Sequence, residues 1–181
     1  MINVENAVAA MAVAYLNGVT ADELRASMAS FAGIRRRFDF HLRTDRLTVI
    51  DDYAHHPMEL EASLKSVNAL YADKKIVVVF QPHLYTRTRD FYHEFAAALS
   101  HAEQVVLVEI YPARELPIEG VTSQLILDEV TSPIKRLTTK AELIDTLKTL
   151  EFDVLLTVGA GDIDTYIPQI VESLEFRVLS L

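Results

Sequence analysis

Apolar positions recur with helical spacing over the first thirty residues, then give way from about residue 38 to short, continuous runs of β-forming residues. Val4, Ala7, Val8, Met11 and Tyr15 fall on one face of a helix, with Asn3 placed to cap its start and Asn17-Gly18 to end it. Thr20-Ala21-Asp22-Glu23 is a capping-box pattern ahead of Leu24, Met28 and Phe31, and Gly33 closes that second helix. The spacing predicts a helical hairpin.

Apolar β-type runs at 47–50, 76–80, 105–110 and 154–158 alternate with helical segments near 57–71, 89–101, 123–130, 141–150 and 163–174. Strand followed by helix, repeated, predicts an α/β fold with a mostly parallel sheet and helices on both faces. Ile76-Val77-Val78-Val79-Phe80 is apolar throughout, as a strand covered on both sides must be. Residues 38–43 are expected to add an antiparallel strand and residues 176–181 a last edge strand. A boundary falls near 33–37, giving a hairpin over 1–36 and the sheet domain over 37–181.

Half of the 181 residues are hydrophobic, enough to bury one sizeable core. Seventeen Lys and Arg against 26 Asp and Glu leave a net charge of -9, so no basic field attracts nucleic acid or an anionic membrane. The absence of cysteine removes disulfides and thiolate chemistry and fits a reducing compartment. The run from Ala7 to Leu16 is too short to span a bilayer and lacks a basic lead-in, so neither a signal peptide nor membrane insertion is expected.

Open α/β sheets bind ligands beyond the carboxyl ends of their strands, and three polar segments of this chain sit there. Asp51-Asp52-Tyr53-Ala54-His55-His56-Pro57 follows the first run, Gln81-Pro82-His83-Leu84-Tyr85-Thr86-Arg87-Thr88-Arg89-Asp90 the second, and Gly159-Ala160-Gly161-Asp162 the fourth. In the first segment Pro57 can open a helix, His56 can cap it, and Asp51 or Asp52 can bond nearby amides. That accounts for only part of its polar content. Asp and His also suit a transition metal, or a ribose and a substrate. Arg87 and Arg89 are candidates for gripping a carboxylate or phosphate through the guanidinium fork, unless Arg89 simply pairs with Asp90.

Arg35-Arg36-Arg37 is too short a run to argue nucleic-acid binding, although its place at the boundary could bring one arginine to a nucleotide phosphate. The glycine segment lacks the spacing of a dinucleotide fingerprint and is better read as a tight turn with Asp162 at a helix start. His41, His93 and His101 are expected to be structural or superficial. No G-x-x-x-x-G-K-[ST] loop occurs, so ATP phosphates find no cradle.

Taken in order, N-x-x-N at Asn3 and Asn6, F-x-G-x-x-R-R-F at 31–38, DDYAHHP, QPHxYTRTRD, the 110–118 stretch with Gly120-Val121-Thr122-Ser123, and GAGDI at 159–163 resemble the UDP-N-acetylmuramate:L-alanine ligases, a branch of the Mur ligases. The resemblance covers essentially the whole chain. It implies a Rossmann-like C-terminal domain at 37–181, preceded at 1–36 by the last helices of a central ATPase domain. The family's asparagine pair usually follows a glycine and a histidine, where this chain has Met1-Ile2, so the start is expected to cut through a nucleotide-site segment.

The resemblance further implies a cytoplasmic, ATP- and Mg2+-dependent reaction of peptidoglycan synthesis. The muramic acid carboxylate is phosphorylated, and the amine of L-alanine attacks the acyl phosphate. By resemblance, Asn3 and Asn6 contact adenine, Arg37 the ATP phosphates and Asp52 the ribose. Tyr53, His55, His83 and Arg87 line the L-alanine site, with Arg37, His55 and His83 the implied catalytic groups. The partners implied are L-alanine, UDP-N-acetylmuramate, ATP and the remaining domains of the ligase, which would hold most of the Mg2+; this chain alone is expected to be inactive. Many members carry arginine where this chain has Leu84, removing one expected cation near the substrate. The rival readings are a non-catalytic binding domain and a metal-dependent hydrolase with Asp52, His55 and His56 as ligands.

Overall fold

The computed structural model describes the backbone of residues 2–179 and the side chains of residues 4–174. The chain separates into two compact units, Met1–Ile34 and Arg35–Leu181.

The first unit is the expected hairpin, α1 (Ile2–Leu16) and α2 (Ala21–Ser30). Thr20 and Glu23 form the reciprocal capping box, the Thr20 amide donating to Glu23 over 2.8 Å. Helix α1 already includes Asn3, so this residue lies inside the first turn and not ahead of it. The apolar face stays open: Val8 is 55% and Tyr15 63% exposed, and α2 buries no side chain.

The second unit contains a six-stranded sheet in the order β1-β2-β6-β3-β4-β5. Its strands are β1 (Asp39–Arg43), β2 (Thr48–Asp52), β3 (Ile76–Phe80), β4 (Gln104–Leu107), β5 (Ile134–Leu137) and β6 (Val154–Val158). Only β1 is antiparallel, with a register irregularity between Phe40 and Leu42; the pairings among β2 to β6 are parallel. Alternation along the strands splits the core in two. Ile50, Val78, Phe80, Val105, Leu107 and Leu156 face α3 (Pro57–Leu70), α4 (Tyr85–Leu99) and α5 (Ser123–Glu129). Val49, Val77, Val79, Val106 and Leu155 pack on the other side with side chains of α6 (Leu143–Lys148) and α7 (Ile167–Leu179). A 3-10 turn, Ile163–Tyr166, leads into α7.

Three differences from the sequence reading have physical reasons. Residues 176–179 continue α7 and do not form an edge strand, while 180 and 181 lie outside the described residues. Strand β5 went unread because Lys135 and Arg136 interrupt its apolar pattern, as befits an edge. Lys135 donates to the carbonyls of Leu127 and Val130 at the end of α5. Helix α4 begins at Tyr85, four residues before the expected start, so YTRTRD forms its first turns.

Candidate active site

The three polar segments converge because β2, β6 and β3 are neighbours, and parallel strands deliver their carboxyl ends to one rim. At the end of β2 the side chain of Asp51 is fully buried, accepting from the Thr157 hydroxyl (2.8 Å) and Arg36 Nε (3.3 Å). Burial pushes its carboxyl above the ordinary range, opposed by those two donors. Arg36 also donates to the carbonyls of Gly159 (2.6 Å) and Gly161 (3.2 Å), while its own carbonyl accepts the Tyr53 amide at 2.7 Å. Its φ of 59° is the left-handed conformation that turns the guanidinium inward. One arginine of the basic triplet is thus a clasp between two motifs.

Asp52 stands one residue further out. Ser63 on α3 donates to its Oδ2 (2.6 Å) and the Ala54 amide to its Oδ1 (3.3 Å). Burial raises its pKa, and these two hydrogen bonds resist the rise.

Beyond the carboxylates runs a row of rings. Tyr53 meets His55 edge-on at 5.2 Å between centroids, His55 meets His83 at 6.2 Å, and His83 stacks on Tyr111 at 5.7 Å. Arg36 and Arg37 lie over Tyr53 at 4.9 and 5.4 Å from its centroid. Further along the row Arg87 Nη1 lies 3.4 Å from His83 Nδ1. His55 Nδ1 is 3.0 Å from the Tyr53 carbonyl and 3.2 Å from the Glu59 carboxylate, and both only accept. Nδ1 therefore carries the proton, leaving Nε2 as the acceptor of the neutral ring. His83 is the converse: Arg87 donates toward Nδ1, so Nε2 holds its proton. Burial first, then Arg87 and His55, lower the His83 pKa and keep that ring neutral.

The glycine segment is shaped by Gln81, which is fully buried at the end of β3. Its Nε2 donates to Asp162 (2.7 Å), and its Oε1 accepts the Ile163 amide (3.0 Å). A Cβ on Gly159 would sit 2.7 Å from the Gln81 carbonyl oxygen, and one on Gly161 would sit 2.7 Å from Cβ of Tyr111. Asp162 precedes the 3-10 turn as expected, but its carboxylate bonds Gln81 and Lys140 and caps nothing.

The structure brings together Asp52, Tyr53, His55, His83 and Arg87, with Arg37 at the edge over Tyr53. Asn6 lies exposed on α1 in the separate first unit, and the side chain of Asn3 is outside the described residues. Arg89 is exposed and paired with Asp90 at 2.7 Å. His93 pairs with Glu129 and His101 approaches Glu61, both at the surface. The metal-hydrolase reading fails on geometry. His56 turns away to cap α3 and meet Phe91, and among the described residues no three His, Asp or Glu side chains converge as ligands. Arg36, Ser63, Gln81 and Tyr111 were missed because each acts through a contact distant in sequence. Arg36, Gln81 and Tyr111 carried a signal, as polar residues inside a motif, and Ser63 carried none.

A cavity of about 480 Å³ opens elsewhere, beside the ends of β4 and β5, lined in part by Tyr85, Glu109, Thr122, Leu137 and Glu142. Glu109 and Glu142 are already bonded to the Lys140 amide and the Thr139 hydroxyl, and no imidazole or guanidinium lines the space. The ring row, with its convergent cations and acceptors, is the better candidate site.

The family described as Mur ligase, glutamate ligase domain, matches residues 36–161. The chain belongs to the Mur ligase family. UDP-N-acetylmuramate:L-alanine ligases from Parabacteroides distasonis and Porphyromonas gingivalis are each 56% identical to it, over 173 and 175 residues. Each alignment covers 96% of this chain, but only 37% and 38% of those relatives, so the chain spans under two-fifths of their length. Among solved Mur ligases, the UDP-N-acetylmuramate:alanine ligase of Thermotoga maritima superposes with a TM-score of 0.80 at 30% identity, over 97% of this chain and 38% of that one. The resemblance read from the motifs is borne out, as is the mostly parallel α/β fold. Among the described residues no helix is long and apolar enough to cross a membrane.

Proposed function

We propose that this chain is the C-terminal part of an ATP-dependent ligase that joins L-alanine to UDP-N-acetylmuramate, acting in the cytoplasm. Residues 37–181 are the amino-acid-handling domain, and residues 1–36 are the end of the ATPase domain. The observation that carries the reading is the ring row with guanidinium groups over Tyr53 and beside His83. It offers one cation for the carboxylate of an amino acid, an imidazole acceptor for its ammonium, and a second cation facing a phosphate.

In this reading Arg87 holds the alanine carboxylate and His83, kept neutral, donates through Nε2 without adding a charge that would compete with it. His55 Nε2 takes a proton from the alanine ammonium, freeing the lone pair that attacks the acyl phosphate carbon. The carbon-nitrogen bond forms, phosphate leaves with the bonding pair and takes up the second proton of the amine nitrogen, and Tyr53 holds Arg37 toward the departing charge. Asp52 keeps lone pairs open on both oxygens and can accept ribose hydroxyls, while Asn3 and Asn6 would meet adenine. Asp52 therefore fits the ribose of a nucleotide, and Arg37 the rim of its phosphates. Neither a phosphate-binding loop nor, among the described residues, a three-ligand metal cluster accompanies them, so Mg2+ and the phosphate cradle are assigned to the other domains. Bound there, Mg2+ would neutralise charge on the transferring phosphoryl group.

The test is ADP release from ATP, UDP-N-acetylmuramate and L-alanine by this chain alone, and by this chain mixed with the separately expressed UDP-sugar and ATPase domains of a homologous ligase. Activity only in the mixture supports the reading. Activity from the chain alone would overturn the assignment of the phosphate site to other domains, and none in the mixture, with both parts folded, would overturn the ligase reading.

A further inference from the structure

We propose that Glu115 is a positioning residue for the carboxylate grip, fixing Arg87 and His83 by capping α4 from the loop that follows β4. The proposal rests on the reading that Arg87 holds the amino-acid carboxylate.

A helix start leaves its first amides without partners, and α4 supplies no cap of its own. Leu84 at the cap position has φ 74°, a strained conformation for leucine, and offers no side-chain acceptor. Glu115 fills the gap from 29 residues away, its Oε2 accepting the Thr86 amide at 2.9 Å and its Oε1 the Thr86 hydroxyl. The loop that carries Glu115 is itself tied to the site. The Leu84 amide donates to the Tyr111 carbonyl (2.9 Å), the Tyr111 amide to the Pro82 carbonyl (2.8 Å), and the Glu115 amide to Pro112 (2.9 Å). The Tyr111 ring stacks on His83 with planes 15° apart.

Two consequences follow for a ligand. Arg87 is the third residue of α4, so fraying of the first turn displaces its guanidinium and breaks the approach to His83. A carboxylate also favours helix amides, and Glu115 already occupies that of Thr86 in the first turn, which turns an incoming substrate carboxylate toward the guanidinium of Arg87. The hydrogen bonds from Thr86 hold Glu115 below the usual carboxylate range, so it stays ionised as the pH falls toward the acidic range.

The experiment uses a full-length ligase carrying this segment, with Glu115→Gln, Thr86→Val as the milder break of the same contact, and Arg87→Ala as the control. Glu115→Gln is expected to raise the KM for L-alanine about tenfold while the KM for ATP stays within about twofold, with little further loss when it is added to Arg87→Ala. Hydrogen exchange at the Thr86 amide should speed up in the same variant, reporting the lost cap independently of turnover. Unchanged alanine KM in Glu115→Gln, with a raised one in Arg87→Ala, overturns the positioning role and leaves the grip intact. Unchanged alanine KM in Arg87→Ala overturns the grip, and with it any role for Glu115 beyond a helix cap. Unchanged exchange at Thr86 refutes the cap itself. Should Glu115→Gln fail to fold, the same comparisons on Thr86→Val decide.

Discussion

Arg36 Nε lies 3.3 Å from Asp51 Oδ2, and the Asp51 side chain is wholly buried while that of Arg36 is 16% exposed. The pair is the floor of the site, because the other guanidinium nitrogens hold the carbonyls of Gly159 and Gly161. Removing one member of a buried pair strands the other's charge. Arg36→Met should therefore destabilise the fold by about 3 kcal/mol, with Arg36→Lys intermediate, since an ammonium keeps the charge but loses the fork. Urea unfolding of the three proteins checks this, and a change below 1 kcal/mol in Arg36→Met would mean the clasp is dispensable.

Ser63→Ala removes the hydroxyl that donates to Asp52 and lets burial raise that carboxyl further. A raised carboxyl contributes stability that is present below its ordinary value of 3.8 and is lost as pH rises through the native value. The variant should extend that loss to higher pH. In a full-length ligase its KM for ATP should rise most at the acidic end of the profile. Parallel KM profiles for the two proteins would count against Asp52 as a nucleotide contact.

For His83 the sign reverses. Its native pKa is lowered, so its contribution is complete above the ordinary value of 6.5 and is lost as pH falls from there through the native value. His83→Gln should flatten that stretch of the stability curve below pH 6.5, measured by denaturant midpoints across pH. An unaltered slope would show that His83 titrates as it does in the unfolded chain.

Gly161→Ala would drive a methyl group against Tyr111 and the Gln81 amide. Crowding of this kind costs about 1–3 kcal/mol, and here it would also push on the ring that backs His83. Thermal unfolding should fall accordingly, and an unchanged midpoint would mean the turn relaxes freely.

Which parts were legible in the sequence follows from how local each signal is. The apolar runs of β3 and β6 announced themselves residue for residue, because a strand covered on both faces needs nothing but its own side chains. His56 and Pro57 likewise announced the start of α3 from adjacent positions. The start of α4 was read four residues late because its cap comes from Glu115, and β5 was passed over because its pattern is charged. The ring row was half visible: Tyr53, His55, His83 and Arg87 stood where strand ends predict a site, but Tyr111, although inside the 110–118 stretch, joins the row only through the fold.

The order of the strands also has a consequence for synthesis on the ribosome. Strand β6, which separates β2 from β3 and carries the last motif, is made after all the other strands among the described residues. Until Val158 has emerged, β2 and β3 are without the partner that lies between them, each an open template of unpaired amides and carbonyls. The newborn chain therefore cannot close its sheet progressively from one end. It must leave one edge of each of these two apolar strands open while about seventy further residues are translated, a delay of several seconds during which chaperone capture competes with misassembly.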